Sequence, residues 1–308
     1  MTTKVLLLYG GFSAEREVSI SAKDDIFNAL KSKGYNVIEH DLKDVWNFTK
    51  VLNEQKPDVV FNGLYGNWGE DGEIQGLLDM LGIAYTHSGL HASAVGMNKH
   101  LCKLIAAQNG VKVAKGEKKT FAEYKKYGTK IPYPYVIKPM SDGSSVGVFI
   151  VRNADDAAKV CYAKPELDVL IEQYIAGQEL TAACFEGKAK VVTELKAKND
   201  FYDYEAKYTA GFTRHILPAQ ISSEVAATCC RYAEIVHNAL GCNTISRSDF
   251  RYNPTDGVVF LEINTNPGMT SLSLVPEQAK YLGISYADLC AKLVENARCR
   301  KPETNFLP

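Results

Sequence analysis

The chain has 308 residues, with 35 Lys and Arg against 36 Asp and Glu, for a formal net charge of -1 at pH 7. This balance provides no overall attraction for a nucleic-acid backbone or an anionic membrane surface, so neither is expected as a partner. With 46% hydrophobic residues the chain can bury a sizeable core. Its length predicts about two or three compact domains.

The first region, residues 1–95, alternates strand and helix patterns. Its predicted elements are strands at 4–9, 37–39 and 58–62 and a helix at 14–33 that Ser13 caps and Gly34 ends. This order predicts an open α/β domain, in which ligands bind beyond the carboxyl ends of the strands. Glu15 and Tyr65 follow two such strands, so both are expected to face one crevice.

The pattern changes near residue 96, and again near residue 179. Residues 96–178 are predicted to contain a helix at 97–108, strands at 133–138, 146–151 and 169–175, and a helix at 154–162. Residues 179–308 are predicted to contain strands at 180–185 and 190–195, a polar loop at 199–213, a helix at 224–240, a hairpin at 245–264 and a helix at 286–297. The sequence therefore predicts three units of mixed α/β structure.

The cysteines and the hydropathy pattern bear on location. The eight cysteines include no CxxC pair and no zinc spacing, so free thiols are expected. The apolar run near the N-terminus is shorter than a signal-peptide core. No apolar stretch approaches the roughly 20 residues that span a bilayer. These features predict a cytoplasmic protein.

The hairpin at 245–264 carries a set of hard oxygen ligands. If its turn centres near residue 255, Asp249 faces Glu262 and Arg247 faces Asn264, and the alternation of a strand places all four on one face. Two carboxylates and an amide oxygen suit magnesium, which combines a few protein oxygens with substrate phosphates. The alternative interpretation is a solvated polar face with one Arg–Asp pair.

Further residues near the hairpin and in the middle region are candidates for binding phosphate and an oxyanion. Gly268, in the loop after the hairpin, can present a backbone N–H beside Arg247 to a developing oxyanion. Lys138 ends an apolar strand and precedes a glycine-serine loop that can close over phosphates. There is no Walker-type P-loop and no GxGxxG motif. Taken singly, a loop of this kind is more often an ordinary turn.

Four motifs in order resemble the D-alanine:D-alanine ligase family across nearly the whole chain. They are GGFSAEREVS at 10–19, KPMSDGSSVG at 138–147, YDYEAKY at 202–208 and EINTNPGMT at 262–270. The resemblance implies a three-domain ATP-grasp fold with an N-terminal Rossmann-like domain, and ATP held between the central and C-terminal domains. It also implies a homodimer.

The resemblance assigns roles residue by residue. The ATP side comprises Lys99, Lys138, Ser145, Glu172, Gln173, Tyr174, Ile175, Glu179 and Lys207, with residues 172–175 on the adenine. Two Mg²⁺ ions, with Mn²⁺ able to substitute, are assigned to Asp249, Glu262 and Asn264. On the substrate side, Glu15 holds the first D-alanine ammonium, Arg247 and the Gly268 N–H form the oxyanion hole, Ser273 and Leu274 contact the second substrate, and Ser144 and Tyr208 link the mobile loop to Glu15.

The implied activity is ATP-dependent joining of two D-alanines through an acyl phosphate, for peptidoglycan precursor synthesis. A tyrosine at position 208 is typical of D-alanine, rather than D-lactate, as second substrate. One departure is Tyr65, a candidate substrate contact, where many members have histidine; a phenol with a pKa of about 10 is a poor base near neutrality. Two alternatives remain: an ATP-grasp ligase with another substrate pair, and a catalytically silent nucleotide-binding scaffold.

Overall fold

The structure is a computed structural model that describes residues 2–141, 143, 146–197, 213–270 and 272–300. Within these residues the chain forms a four-stranded parallel sheet, a four-stranded antiparallel sheet and a six-stranded antiparallel sheet. The mixed α/β architecture expected from the sequence is confirmed. All eight cysteines are free thiols, as predicted.

The first sheet contains the N-terminal strands. Its region comprises β1 (Lys4–Gly10), α1 (Arg16–Ser32), β2 (Asn36–Leu42), α2 (Val45–Gln55), β3 (Val59–Asn62), α3 (Glu73–Leu81) and β4 (Ala84–Tyr85). The strand order is β2-β1-β3-β4. Because β1 and β3 are parallel neighbours, with Leu8 opposite Asn62, the loops that follow them emerge at the same edge. This brings residues 11–15 and 63–72 together, as the sequence predicted.

Helix α1 begins two residues later than predicted, and Ser13 is not its cap. The N-cap is Glu15, whose side chain makes no capping hydrogen bond. Ser13 Oγ instead accepts a hydrogen bond from Glu15 N at 3.1 Å and donates one to Tyr65 O at 2.6 Å. The hydroxyl therefore ties the loop after β1 to the loop after β3, which a local capping rule does not foresee.

Two helices connect the first sheet to the second. They are α4 (Leu90–Met97) and α5 (Lys99–Gln108), which Asn98 separates. Asn98 is extended and its side chain accepts from Leu101 N at 3.0 Å, so it caps α5. The helix predicted from residue 97 therefore starts at Lys99.

The second sheet has the order β5-β8-β6-β7. Its region comprises β5 (Gly116–Thr120), α6 (Phe121–Tyr127), β6 (Tyr135–Pro139), β7 (Phe149–Val151), α7 (Ala154–Lys159) and β8 (Asp168–Gln173). The strand predicted from residue 146 begins only at Phe149, since Gly147 adopts a φ of +70° that interrupts an extended chain. The helix predicted to residue 162 ends at Lys159, because Val160 turns extended and is buried.

The third sheet has the order β12-β11-β9-β13-β14, with β10 paired to β9. Its region comprises β9 (Gln178–Phe185), β10 (Lys188–Ala189), β11 (Thr193–Ala197), β12 (Thr213–Ile216), α8 (Ser223–Leu240), β13 (Ile245–Asn253), β14 (Gly257–Asn264), α9 (Leu274–Tyr281) and α10 (Tyr286–Glu295). The strand predicted at 190–195 is shifted to β11, because β10 takes the preceding residues onto β9. The polar loop predicted at 199–213 lies, apart from Thr213, outside the described residues.

Apolar packing holds the first and third sheets together. Leu289 and Leu293 of α10 share one apolar cluster with Ile26 of α1. Cys102 of α5 shares another cluster with Phe260 of the hairpin. Elements distant in sequence thus bring the loops of the first sheet against the hairpin. Across the described part of the chain, no helix is long and apolar enough to cross a bilayer.

Candidate active site

The hairpin formed by β13 and β14 has the predicted register. Arg247 pairs with Asn264 and Asp249 pairs with Glu262. A β-bulge follows, so that Phe250 lies opposite Phe260 and the ladder is displaced by one residue beyond the polar positions. The strand pairing predicted by counting residues is therefore confirmed for the four polar positions of the hairpin.

Each predicted metal ligand already has a protein partner. Asp249 accepts two hydrogen bonds from Arg247, at 3.0 Å from Nε and 2.9 Å from Nη2. Thr181 Oγ1 donates to the same carboxylate at 2.6 Å. Glu262 lies 3.5 Å from Lys99 Nζ, and Asn264 Oδ1 accepts from Asn266 N at 2.8 Å.

The donor set fits a magnesium site that relies on phosphate oxygens. Within the described ranges, no three His, Cys, Asp or Glu side chains gather as a metal-binding group by themselves. Asp249, Glu262 and Asn264 supply two carboxylates and one amide oxygen on neighbouring positions of one hairpin. Magnesium prefers a few such hard ligands together with substrate oxygens, so these residues suit it.

Three buried lysines lie beside the hairpin, and two of them contact a buried glutamate. We call Lys99, Lys103 and Lys138, together with Glu172, the lysine cluster. Lys103 Nζ contacts Glu172 Oε2, and Lys138 Nζ lies 2.7 Å from Glu172 Oε1. The N–H of Lys99 donates to Met140 O at 3.1 Å, which fixes the start of α5 beside the end of β6.

The charges of the lysine cluster depend on one another. Burial alone would raise the pKa of Glu172, but attraction to Lys103 and Lys138 lowers it to about 2. The pKa of Lys103 is lowered by burial, with added repulsion from Lys138. Burial also opposes the charge on Lys138, yet attraction to Glu172 and then Glu262 raises its pKa. Glu172 therefore stays ionised beneath two lysines.

Lys103 was not predicted as a site residue. It lies four residues after Lys99 on α5, so both side chains project from one face of the helix. A lysine on the buried face of a helix is uncommon unless it is paired, which is the signal that could have identified it.

The segment predicted to contact the adenine is braced by Arg251, another residue that the sequence analysis missed. Arg251 Nε donates to Ile175 O at 3.1 Å, and Arg251 Nη1 donates to Glu179 Oε2 at 2.9 Å. Gln173 N donates to Lys115 O at 2.9 Å, and Tyr174 N donates to Pro134 O at 3.2 Å. The predicted nucleotide residues at the end of β8 and the start of β9 are thus brought together.

On the other side of the hairpin two buried glutamates lie near each other. We call Glu15 and Glu70 the acid pair; both are buried. Burial and then repulsion from Glu15 raise the pKa of Glu70 well above its usual value. The Gly66 N–H, Arg247 and Asn264 partly oppose this shift by contacting or attracting the ionised form. Gly66 has a φ of +70°, which favours glycine, and a Cβ there would stand 2.7 Å from Glu15 Oε2.

Glu70 was also missed by the sequence analysis, although it lies in the same loop after β3 as Tyr65. Its contact with Asn264 joins the first sheet to the hairpin. That contact crosses about 190 residues of chain, so no local pattern indicates it.

The loop after the hairpin is held in a tight conformation. A Cβ at Gly268 would stand 2.9 Å from Ser273 Oγ. Ser273 Oγ accepts from Thr270 N at 3.0 Å, which leaves α9 without a side-chain cap at Ser273. Leu274 is buried at the start of α9, and Tyr65 is buried with its hydroxyl against Met269 N at 3.0 Å. The predicted residues Ser144, Ser145, Lys207 and Tyr208 lie outside the described residues.

The site is one continuous series of charged and polar groups across the three sheets. It runs from the lysine cluster through Glu262, Asp249 and Arg247 on the hairpin to Asn264 and the acid pair. An antiparallel unit with buried lysines, followed by a hairpin with hard oxygen donors, fits the class of ATP-grasp enzymes that the sequence motifs led us to expect.

Comparison with known proteins identifies the family. A family model described as D-ala D-ala ligase C-terminus matches residues 105–295, and one described as D-ala D-ala ligase N-terminus matches residues 40–88. The D-alanine--D-alanine ligase of Paramagnetospirillum magneticum is 43% identical over 97% of this chain and 100% of its own length. The chain belongs to the D-alanine–D-alanine ligase family.

Solved structures agree with this assignment. The crystal structure of D-alanine--D-alanine ligase from Bacillus anthracis matches with a TM-score of 0.82 and 30% identity, covering 96% of this chain and 97% of that one. The same enzyme complexed with ATP matches with a TM-score of 0.79 and 29% identity, at the same coverage. The ATP-grasp fold expected from the sequence is therefore confirmed.

Proposed function

We propose that this chain joins two D-alanine molecules, with the lysine cluster binding ATP and the acid pair binding an ammonium group. The chain is an ADP-forming carbon–nitrogen ligase, and its product is a precursor for peptidoglycan. The observation that carries the assignment of sites is the series of charges from Lys138 to Glu15, which is positive at one end and acidic at the other.

The reaction proceeds in two steps. The carboxylate of the first D-alanine attacks the γ-phosphorus of ATP, which forms an acyl phosphate and releases ADP. The amine of the second D-alanine then attacks the acyl carbon, the peptide bond forms, and phosphate leaves. Both steps place extra negative charge on oxygens, so catalysis depends on positive groups positioned in advance.

Residues of this chain supply those groups. Lys99 and Lys138 bind phosphate oxygens, and Glu15 holds the ammonium of the first D-alanine. Arg247 and the Gly268 N–H stabilise the acyl oxyanion, for which Arg247 has to share its contact with Asp249. When bound at Asp249, Glu262 and Asn264, Mg²⁺ would supply positive charge beside the phosphates.

The remaining predictions form part of the same proposal. Ser273 and Leu274 contact the second substrate, and Ser144, Ser145, Lys207 and Tyr208 close the site over ATP and D-alanine. Gln173, Tyr174 and Ile175 contact the adenine, and Glu179 the ribose. The enzyme is a homodimer and is located in the cytoplasm. Its free thiols support the location, because disulfides are rare in that compartment. Boundaries near residues 95 and 178 divide the three domains.

A coupled assay tests the activity. Purified protein with Mg-ATP and D-alanine should release phosphate and form the dipeptide in equal amounts, whereas D-lactate as second substrate should give little product. Turnover with another amino acid but none with D-alanine would overturn the substrate assignment. Omitting Mg²⁺ and adding a chelator should stop the reaction, and sedimentation should give twice the monomer mass.

Replacing the arginine isolates the second half of the mechanism. Arg247→Ala removes a donor to the oxyanion, so kcat should fall by about 10²–10³-fold. ATP affinity, measured by calorimetry, should change little, because Arg247 lies outside the lysine cluster. Arg231→Ala, on the exposed side of α8, is the matched control. Equal losses of ATP affinity and kcat would contradict the assigned role.

A further inference from the structure

Tyr65 has its ring in an apolar core and its hydroxyl on the loop that carries Gly268. The side chain is 4% exposed and shares an apolar cluster with Met269 and Leu289. The phenolic oxygen accepts a hydrogen bond from Met269 N at 3.0 Å. Tyr286 donates from its hydroxyl to Met269 O at 2.6 Å, so both polar backbone atoms of Met269 are held by tyrosines.

Consecutive residues of the loop after β3 bracket the Pro267–Gly268 dipeptide. On the near side, Asn266 Nδ2 donates to Leu64 O at 2.7 Å. On the far side, the Tyr65 hydroxyl holds Met269 N. Because both flanking residues are tethered to one short segment, the direction of the Gly268 N–H depends on where that segment lies.

The backbone of Tyr65 is joined to the segment that carries Glu15. Tyr65 O accepts from Ser13 Oγ at 2.6 Å, and the same Oγ accepts from Glu15 N at 3.1 Å. One residue therefore contacts the segment assigned to the ammonium group through its carbonyl and the segment assigned to the oxyanion through its side chain.

We propose that Tyr65 is a positioning residue that orients the Gly268 N–H by holding Met269 N with its phenolic oxygen. The inference rests on the proposed function, in which Gly268 stabilises the acyl oxyanion. It accounts for a tyrosine at a position where many family members have histidine: the hydroxyl is needed as an acceptor for a backbone donor, and no proton transfer by this residue is required.

The surroundings of the phenol argue against a proton-transfer role. The ring lies among apolar side chains, and its oxygen is already engaged by a backbone N–H. Burial raises the pKa of Tyr65 further above its ordinary value, so the anion that a general base requires is disfavoured.

Tyr65→Phe tests the inference, because it keeps the ring and removes only the acceptor. Met269 N then loses its partner in a buried site, and the Gly268 segment is free to shift. We expect kcat for dipeptide formation to fall by about tenfold, equivalent to about 1.4 kcal/mol. The KM for ATP should change by less than about twofold, since the lysine cluster is untouched. The pH profile of kcat should be lowered uniformly and keep its shape.

Tyr85→Phe is the matched control. Tyr85, in β4 of the first sheet, is also buried, at 3% exposure, and its hydroxyl donates to Asp79 of α3 at 3.0 Å. This variant loses the hydrogen bonds of a buried tyrosine hydroxyl, with Asp79 and with the Leu90 N–H, away from the site, so its Tm should fall while kcat stays at the wild-type value. The comparison separates positioning from a general loss of stability.

Hydrogen exchange gives a readout that does not need turnover. In Tyr65→Phe, amides of the segment 266–270 should exchange faster than in wild type, whereas in Tyr85→Phe they should not change. Hydrogen exchange therefore tests the contact between the Tyr65 hydroxyl and Met269 N even if the wild-type protein does not ligate D-alanine. The absence of ligation by the wild-type protein would overturn the proposed function instead.

Two outcomes would overturn the inference. In one, Tyr65→Phe keeps wild-type kcat and wild-type exchange in the segment 266–270, which would mean that the hydroxyl does not hold the loop. In the other, Tyr65→Phe removes one limb of the pH profile, which would assign proton transfer to the phenol.

Discussion

The lysine cluster and the acid pair are both buried sets of ionisable groups, yet burial has opposite results in the two. Glu172, between Lys103 and Lys138, has its pKa lowered to about 2. Glu70, beside Glu15, has its pKa raised well above the usual value. Burial opposes ionisation in both cases, so the sign of the neighbouring charges decides the outcome.

This difference corresponds to the two ligands of the proposed reaction. The lysine cluster has three buried lysines and one buried carboxylate, of which Lys103 and Lys138 contact Glu172, and this excess of positive charge suits a polyphosphate. The acid pair has two carboxylates in a small volume, and an incoming ammonium would relieve their repulsion. The hairpin lies between the two sets, where the phosphate and the acyl group would meet. The charge of each buried cluster is therefore opposite to that of the ligand proposed for it.

The largest effect is expected when the lysine cluster loses its carboxylate. Glu172→Gln leaves two buried lysines without their shared partner, so the free energy of unfolding at pH 7 should fall by about 3–5 kcal/mol. Urea denaturation measures this. Glu54→Gln, an exposed position on α2, should change it by less than about 0.5 kcal/mol. A comparably small change at Glu172 would show that the lysines do not depend on it.

A smaller effect is expected when the same cluster loses one lysine. Lys103→Met removes a charge but leaves Glu172 paired with Lys138, so the free energy of unfolding should fall by about 2 kcal/mol. In the double variant Lys103→Met/Glu172→Gln only one lysine remains uncompensated. The decrease in the free energy of unfolding of the double variant should therefore be smaller than the sum of the decreases in the two single variants. Strict additivity would mean that the two side chains are not coupled.

The smallest effect, and one of opposite sign, is expected for the acid pair. Because the pKa of Glu70 is raised in the folded state, ionisation costs stability as pH rises above about 4.3, the ordinary value of a glutamate. Glu70→Gln should therefore stabilise the chain by about 1 kcal/mol at pH 7, and this gain should shrink as pH falls to about 4. Urea titrations with a chelator present would measure it.

The opposite pH dependence of Glu172 is the internal comparison for that measurement. The pKa of Glu172 is lower in the folded than in the unfolded chain. Its contribution to the free energy of unfolding is therefore present above about pH 4.5 and is lost as pH falls towards 2. The Glu172→Gln deficit should consequently shrink in acid. If Glu70→Gln and Glu172→Gln shifted stability in the same direction at pH 7, the contrast between the two clusters would be wrong.

Sequence reasoning succeeded where the relevant contacts are local. In the hairpin, a short turn sets the pairing, so Asp249 opposite Glu262 followed from counting residues. The parallel neighbours β1 and β3 brought Glu15 and Tyr65 to one edge for a similar reason. The prediction for Ser13 was wrong: its hydroxyl was expected to cap a helix, but it donates a hydrogen bond to a loop about 50 residues away.

The residues that the sequence analysis missed share one property, which is a partner distant along the chain. Lys103 contacts Glu172, Glu70 contacts Asn264, and Arg251 contacts Glu179. A lysine or glutamate in isolation is usually a surface residue, so its sequence context carries no sign of burial. Only folding reveals that Lys103 and Glu70 are buried and Arg251 half-buried, each against a specific partner.

The sequence alone determined the mixed α/β fold class, the family and the pairing of the polar side chains on the hairpin, because periodicity, turns and ordered motifs are local properties of the chain. The tertiary structure decided which buried charges meet and how the loop of Gly268 is held. Those features arise from α5, α10 and the loop after β3 packing against the hairpin. Such contacts follow from the burial of apolar faces by elements far apart in sequence, and no local pattern records their pairing.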